Sequence, residues 1–190
     1  MSPVSKTALV LIDVQVGIDE ATHWGGNRNN NQAEENIQTL LHHWRAHKLP
    51  VVIVQHCSVS ENSPFKPGRA GNQLKDFVNV LPGEKLISKS TANAFINTDF
   101  LSYLEVEKIE GLVITGFVTN NSVEATARYS GDLGINTIVV SDATACFDKK
   151  GLDGIRYNSD LIHQISLSNL VGEYATILTT DQVILSFKTH

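Results

Sequence analysis

Apolar residues along this chain fall into short continuous runs that alternate with longer spans of helical period. Thr7–Val14 (TALVLIDV), Val51–Gln55 (VVIVQ), Gly111–Gly116 (GLVITG) and Asn136–Ser141 (NTIVVS) have the pattern of strands buried on both faces. Lys85–Lys89 and Ala175–Leu178 are shorter strand candidates. Gln32–His47 sets Ile37, Leu40, Leu41 and Trp44 at helical spacing, with Pro50 just beyond. Asn120–Leu133 predicts a helix stopping near Gly134, Ser159–Leu170 a helix with Gly172 behind it, and Asp181–Phe187 a last helix. Thr98 is placed to cap a helix through Leu104. Cys57–Gly83 contains Pro64, Pro67 and Pro82 and reads as a loop, with a short helix expected around Leu74–Val78.

Six apolar strands separated by helices imply a parallel sheet covered on both faces. Right-handed crossovers then give a three-layer α/β/α sandwich around a six-stranded, mostly parallel sheet. No repeat, low-complexity tract or linker interrupts residues 1–190, so one domain is expected. In such a sheet a ligand lies beyond the C-terminal strand ends, near a switch point. That directs attention to residues closing strands: Asp13, Gln15, His56, Lys89, the stretch after Gly116, and Asp142.

Composition narrows the chemistry. Fifteen basic against twenty acidic residues give a net charge of −5, and no basic stripe stands out. Nucleic acid and anionic membrane are therefore poor partners. Two cysteines, Cys57 and Cys146, make neither a disulfide framework nor a cysteine-built zinc site, and both read as packing or incidental thiols. The apolar run Ala8–Ile12 is too short to span a bilayer. Met1–Lys6 lacks the three regions of a secretory leader, so a cytoplasmic protein is expected. No glycine-rich dinucleotide fingerprint, Gly-Lys-Ser/Thr phosphate loop or Gly-x-Ser-x-Gly elbow is present.

Asp13 closes an otherwise apolar strand, where an uncompensated carboxylate is costly. It either bonds loop amides or does chemistry. Lys89 alone reads as a surface lysine and gains interest only if Asp13 is near. Ser122 falls on the first turn of a predicted helix, in the field of free backbone amides. A nucleophile and its oxyanion hole can be combined there, although on pattern alone Ser and Asn at such a place read first as helix caps.

The runs Ala8–Gln15, Arg28–Asn36, Ile87–Phe95, Thr115–Arg128 and Val140–Ala145 agree in order and spacing with one family. Through them the chain resembles the isochorismatase-like cysteine hydrolases, which include nicotinamidases, N-carbamoylsarcosine amidohydrolases and streptothricin hydrolases. The resemblance implies an Asp-Lys-Cys triad, with Asp13 and Lys89 in the first two places. Ser122 stands at the cysteine position, which is the important departure. It also implies a cis peptide at Phe117–Val118 and an oxyanion hole from the backbone amides of Val118 and Ser122. The implied activity is hydrolysis of a small-molecule amide or lactam C–N bond.

A serine hydroxyl is far less acidic than a thiol, and Asp with Lys activates it weakly. Three explanations of Ser122 stand side by side: an engineered inactivating Cys→Ser replacement that traps a ligand, a natural binding or regulatory relative without catalysis, or serine used with unusual help. An isochorismatase-type vinyl ether hydrolase, which needs no such nucleophile, also remains open. Gln15, Phe95 and Asn121 are expected to line the pocket. Trp24 either caps it or packs under its loop or at a subunit interface. Nicotinamidases carry Asp-x-His after the second strand, where this chain reads Gln55-His56-Cys57-Ser58, so no metal and no cofactor are expected. The resemblance further implies a homo-oligomer, a dimer or tetramer. The loop Cys57–Gly83 and the segment Asp19–Asn31 are expected to set specificity.

Overall fold

The computed structural model describes residues 6–188. The stretch Met1–Ser5, used above in judging a leader, lies outside them.

The apolar run at the start forms β1 (Thr7–Ile12), buried along its whole length. A single turn of 3-10 helix and the short α1 (Ala21–Trp24) follow, then α2 (Ala33–Ala46) and β2 (Val51–His56). After a long loop come β3 (Lys85–Lys89), α3 (Phe100–Val106) and β4 (Gly111–Phe117). An irregular wide turn, Thr119–Val123, feeds α4 (Glu124–Asp132). Then follow β5 (Asn136–Ala145), the two-residue strands β6 (Lys149–Lys150) and β7 (Arg156–Tyr157), α5 (Ser159–Leu170), β8 (Thr176–Leu178) and α6 (Thr180–Lys188).

The main sheet has the order β3-β2-β1-β4-β5-β8, and every neighbouring pair is parallel. Alternate strand residues face opposite sides, and each side is covered. Leu9, Leu11, Ile53 and Val113 pack with Ile37, Leu40, Leu41 and Trp44 of α2 and Val183 of α6. Val10, Ile12, Val54 and Ile114 pack with Phe100 and Leu104 of α3, Ala127 of α4 and Leu167 of α5. This is the three-layer α/β/α sandwich. The chain moves outward from β1 on one side and then returns to lay β4 on the other, so the switch point lies between β1 and β4.

Local departures from the expected elements have backbone causes. Leu74–Val78 is not a helix. Its backbone pairs with the exit of β1: Lys75 N–H donates to Val14 O at 3.1 Å, and Val16 N–H to Gln73 O at 2.9 Å. The helical turn in that loop is at Ala70–Asn72. Strand β5 runs four residues past Ser141, because a register shift between Ile114 and Gly116 re-pairs Gly116 with Thr144. The helix expected from Asn120 is regular only from Glu124. Thr98 lies one residue outside the capping position of α3, which Asp99 occupies. Its oxygen accepts from Phe100 N–H at 3.3 Å.

Candidate active site

Four parallel strands deliver their C-terminal ends to one place. β1 ends at Ile12, and Asp13 follows with φ +52°, a left-handed conformation that Asp tolerates better than most residues. β2 closes on His56 and β3 on Lys89. Beyond β4 the Phe117–Val118 peptide is cis, and the wide turn carries Ser122. Gly116 makes this approach feasible. Its φ is +108°, and a Cβ there would lie 2.0 Å from Ile12 O.

Asp13 and Lys89 are buried, each 2% exposed. Lys89 Nζ donates to Asp13 Oδ2 at 2.8 Å and to Thr91 O at 3.1 Å. Its remaining direction is shared by His56 Nδ1 at 3.1 Å and Ser122 Oγ at 3.4 Å. An ammonium has three donors and no lone pair, so His56 Nδ1 must accept. Burial first, and then the Lys89 charge, lowers the His56 imidazole below its ordinary 6.5, against an opposing pull from Asp13. Asp13 Oδ1 is buried without a hydrogen-bond partner. It is the acceptor that a ligand N–H would satisfy.

Asp13, His56 and Ser122 form the floor of a cleft of about 260 Å³, with Lys89 buried beneath them. Trp24, Phe65 and Phe117 give it aromatic walls, and Ser58, Ser60, Ser63 and Asn121 add neutral polar groups. Trp24 is fixed by donating from Nε1 to Gly17 O at 2.8 Å and by packing on Phe65, ring centroids 5.0 Å apart. It also borders a second cleft of about 310 Å³, shared with Val118 and Asn121 and reaching Lys149.

Two residues expected in the pocket lie elsewhere. Gln15 is fully buried, and its side chain joins the exits of β1 and β2. Its amide donates to His56 O at 3.1 Å and Asn72 O at 2.8 Å, and its oxygen accepts from His56 N–H at 2.7 Å. Phe95 packs against Phe100 and Tyr129, with ring centroids 4.6 and 5.3 Å away, and does not line the cleft. Asp142 is likewise structural, its Oδ1 accepting from the backbone and hydroxyl of Thr180, both at 2.8 Å.

The Arg28–Asn36 run braces the site from behind. Asn30 donates to Ser141 O at 2.8 Å and Thr144 O at 2.7 Å, and Asn36 to Asp142 O at 2.7 Å, which clamps the irregular part of β5. Arg28 forks onto Glu34 at 2.7 and 2.8 Å and lies over the Phe117 ring, 5.3 Å from its centroid. His163 of α5, 3% exposed, pairs its Nδ1 with the Thr119 hydroxyl at 2.9 Å and so holds the turn that carries Ser122. No sequence signal marks His163 beyond its place in a helix.

Neither cysteine reaches the floor. Burial pushes the Cys146 thiol up to about 12, with Asp160 and Asp148 adding to it, and its Sγ lies 3.2 Å from Ser159 O. Cys57 is half-buried beyond β2. Among the described residues no group of three or more His, Cys, Asp or Glu is arranged to hold a metal ion. No helix among them is long and apolar enough to cross a membrane.

The sequence matches the model of the isochorismatase domain over residues 7–182. The isochorismatase family protein YrdC of Bacillus subtilis (strain 168) is 42% identical over 186 residues, covering 97% of this chain and 98% of its own length. Nicotinamidase 3 of Arabidopsis thaliana is 24% identical over 198 residues, covering 95% of this chain and 89% of its own. A crystal structure of an isochorismatase family protein from Chromobacterium violaceum superposes with a TM-score of 0.93 at 38% identity, covering 100% of this chain and 97% of the other.

Proposed function

The chain belongs to the isochorismatase family of hydrolases, and from that premise we propose that its cleft is built to hydrolyse the C–N bond of a small-molecule amide or lactam. The observation that carries this reading is the buried Asp13–Lys89 pair, whose ammonium also lies 3.4 Å from Ser122 Oγ. The partnerless Asp13 Oδ1 supports it, because an amide N–H is the donor that oxygen lacks. That the Arabidopsis relative is named a nicotinamidase supports the reading.

In the reaction a nucleophile at position 122 gives its proton to Asp13 and attacks the carbonyl carbon. The carbonyl π electrons move to oxygen, which the amides of Val118 and Ser122 stabilise. Collapse expels the amine, which takes the proton from Asp13. Water then repeats the sequence on the acyl intermediate and releases the acid. Lys89 holds Asp13 in place through its 2.8 Å hydrogen bond to Oδ2.

Serine makes the first step hard. Ser122 Oγ accepts from Lys89, and no hydrogen bond carries its proton to a base. That observation favours a second reading, a protein that binds the same ligands with little or no turnover. Ammonia or amine release over amides, lactams and ureides, with the protein and Ser122→Cys side by side, separates them. Turnover confined to the thiol form supports a C–N hydrolase silenced at its nucleophile. Silence from both, with ligand-induced thermal shifts, supports the binding protein.

A further inference from the structure

Deepening the amide reading above, on which it rests, we infer that the cleft takes small planar carboxamides with an uncharged remainder and excludes those bearing a second group as carboxylate. Among the described residues that line the cleft there is no Lys or Arg. The two cations close to it are already committed. The Lys89 side chain is fully buried and spends its donors on Asp13, Thr91 O and the His56–Ser122 pair. Arg28 lies against the Phe117 ring and is held bidentately by Glu34.

The remaining lining suits neutral groups. The rings of Trp24, Phe65 and Phe117 offer flat apolar surface, while the serine hydroxyls and Asn121 both donate and accept. At the floor, Asp13 Oδ1 is an acceptor with no donor of its own, a place for an N–H and not for a second acceptor oxygen. His56, with its imidazole held below the ordinary range, adds no positive charge near neutral pH. The oxyanion that develops during reaction is served by backbone amides at one point only. Besides His56 the lining holds one more imidazole, His23, at the Trp24 side, and a spectator carboxylate would lose its water with no Lys or Arg to replace it. The volume, about 260 Å³, lies below the usual range for ligand sites of roughly 300–1,000 Å³, so the substrate is small. Lys149 borders only the neighbouring cleft, so the exclusion applies to groups that stay on the near side of Trp24.

The test is a matched pair: isophthalamide, neutral, and 3-carbamoylbenzoate, its equally sized anion, titrated calorimetrically into the protein at pH 8. Isophthalamide is expected to bind at least about ten-fold tighter. Ser60→Lys, which sets a cation in the exposed part of the lining, should close most of that gap by raising the affinity for the anion. Equal or tighter binding of the anion, a gap that Ser60→Lys leaves intact, or binding of neither compound would each overturn the inference. Ammonia release by Ser122→Cys is read separately. Selective binding of the diamide without release would end the hydrolase reading but leave the selectivity. Release from the anion at the diamide's rate would do the reverse.

Discussion

Lys89 and Asp13 stand 76 residues apart in the chain, yet Lys89 Nζ lies 2.8 Å from Asp13 Oδ2 with both side chains almost wholly out of water. Only the parallel order β2 between β1 and β3 brings those strand ends together. Burying two charges is costly, and their mutual attraction offsets that only because further hydrogen bonds complete the set. Such a pair contributes little net stability when intact and costs much when broken.

Lys89→Met should therefore destabilise the fold by about 3–5 kcal/mol in urea unfolding, because Asp13 is left buried and unpaired. Asp13→Asn tolerates the left-handed backbone. Combined with Lys89→Met it should recover most of the loss while remaining inactive in the Ser122→Cys background. A loss below about 1 kcal/mol for Lys89→Met would mean that water reaches the pair.

Gly116 fixes the distance between the Asp13 and Ser122 limbs. Its φ is +108°, and any Cβ at this position would fall 2.0 Å from Ile12 O, which leaves no room for a side chain. Gly116→Ala must move backbone, in β1 or at the wide turn. We expect a loss of at least about 2 kcal/mol by chemical denaturation. Gly134→Ala, which meets no neighbour within 4 Å but shares a positive φ of +75°, should cost less. Equal costs would show that strain, not contact with β1, dominates at Gly116.

The layers are legible in the sequence because β1, β2 and β4 are continuous apolar runs with few alternative uses. Asp13, Lys89 and Ser122 are legible as strand-end or turn residues, and the family resemblance joins them. Gln15 and Phe95 miss the pocket for one reason. Closeness in sequence to Asp13 or Lys89 says nothing about which way a side chain turns. Gln15 turns to the backbone of His56 and Asn72, and Phe95 into the apolar layer. Phe65 arrives from a long loop whose path is set by the Asn72 side chain donating to His56 O and Phe65 O, both at 2.8 Å. No local pattern encodes such contacts.

The thiols should differ sharply. Cys146 is buried, with its acidity suppressed up to about 12, whereas Cys57 is half-buried. Iodoacetamide at about pH 8 should give one adduct per chain, mapped by peptide mass to Cys57, since the thiolate is the reactive form. Adduct formation at Cys146 in the folded protein would require local opening around Ser159.

Acid should weaken the fold in a window set by imidazoles. Burial lowers both His56 and His163 below the ordinary 6.5, so each is neutral in the folded protein where the unfolded chain already takes up a proton. Stability then falls as pH drops below about 6.5, at up to about 1.4 kcal/mol per pH unit for each proton, and neither group contributes above that. The carboxylates held low, such as Glu34, where burial pushes up but Arg28 and Lys75 together outweigh it, lose their contribution only as pH falls below their ordinary 4.5, so the two windows separate. Urea midpoints measured from pH 8 to pH 5 should decline below pH 6.5. His163→Gln should flatten that decline and lower stability at pH 8, because the Thr119 hydroxyl loses its partner. The same variant in the Ser122→Cys background should lose turnover at pH 8 through displacement of the turn. A midpoint that stays level from pH 8 to pH 5 would show that both rings accept protons without leaving their sites.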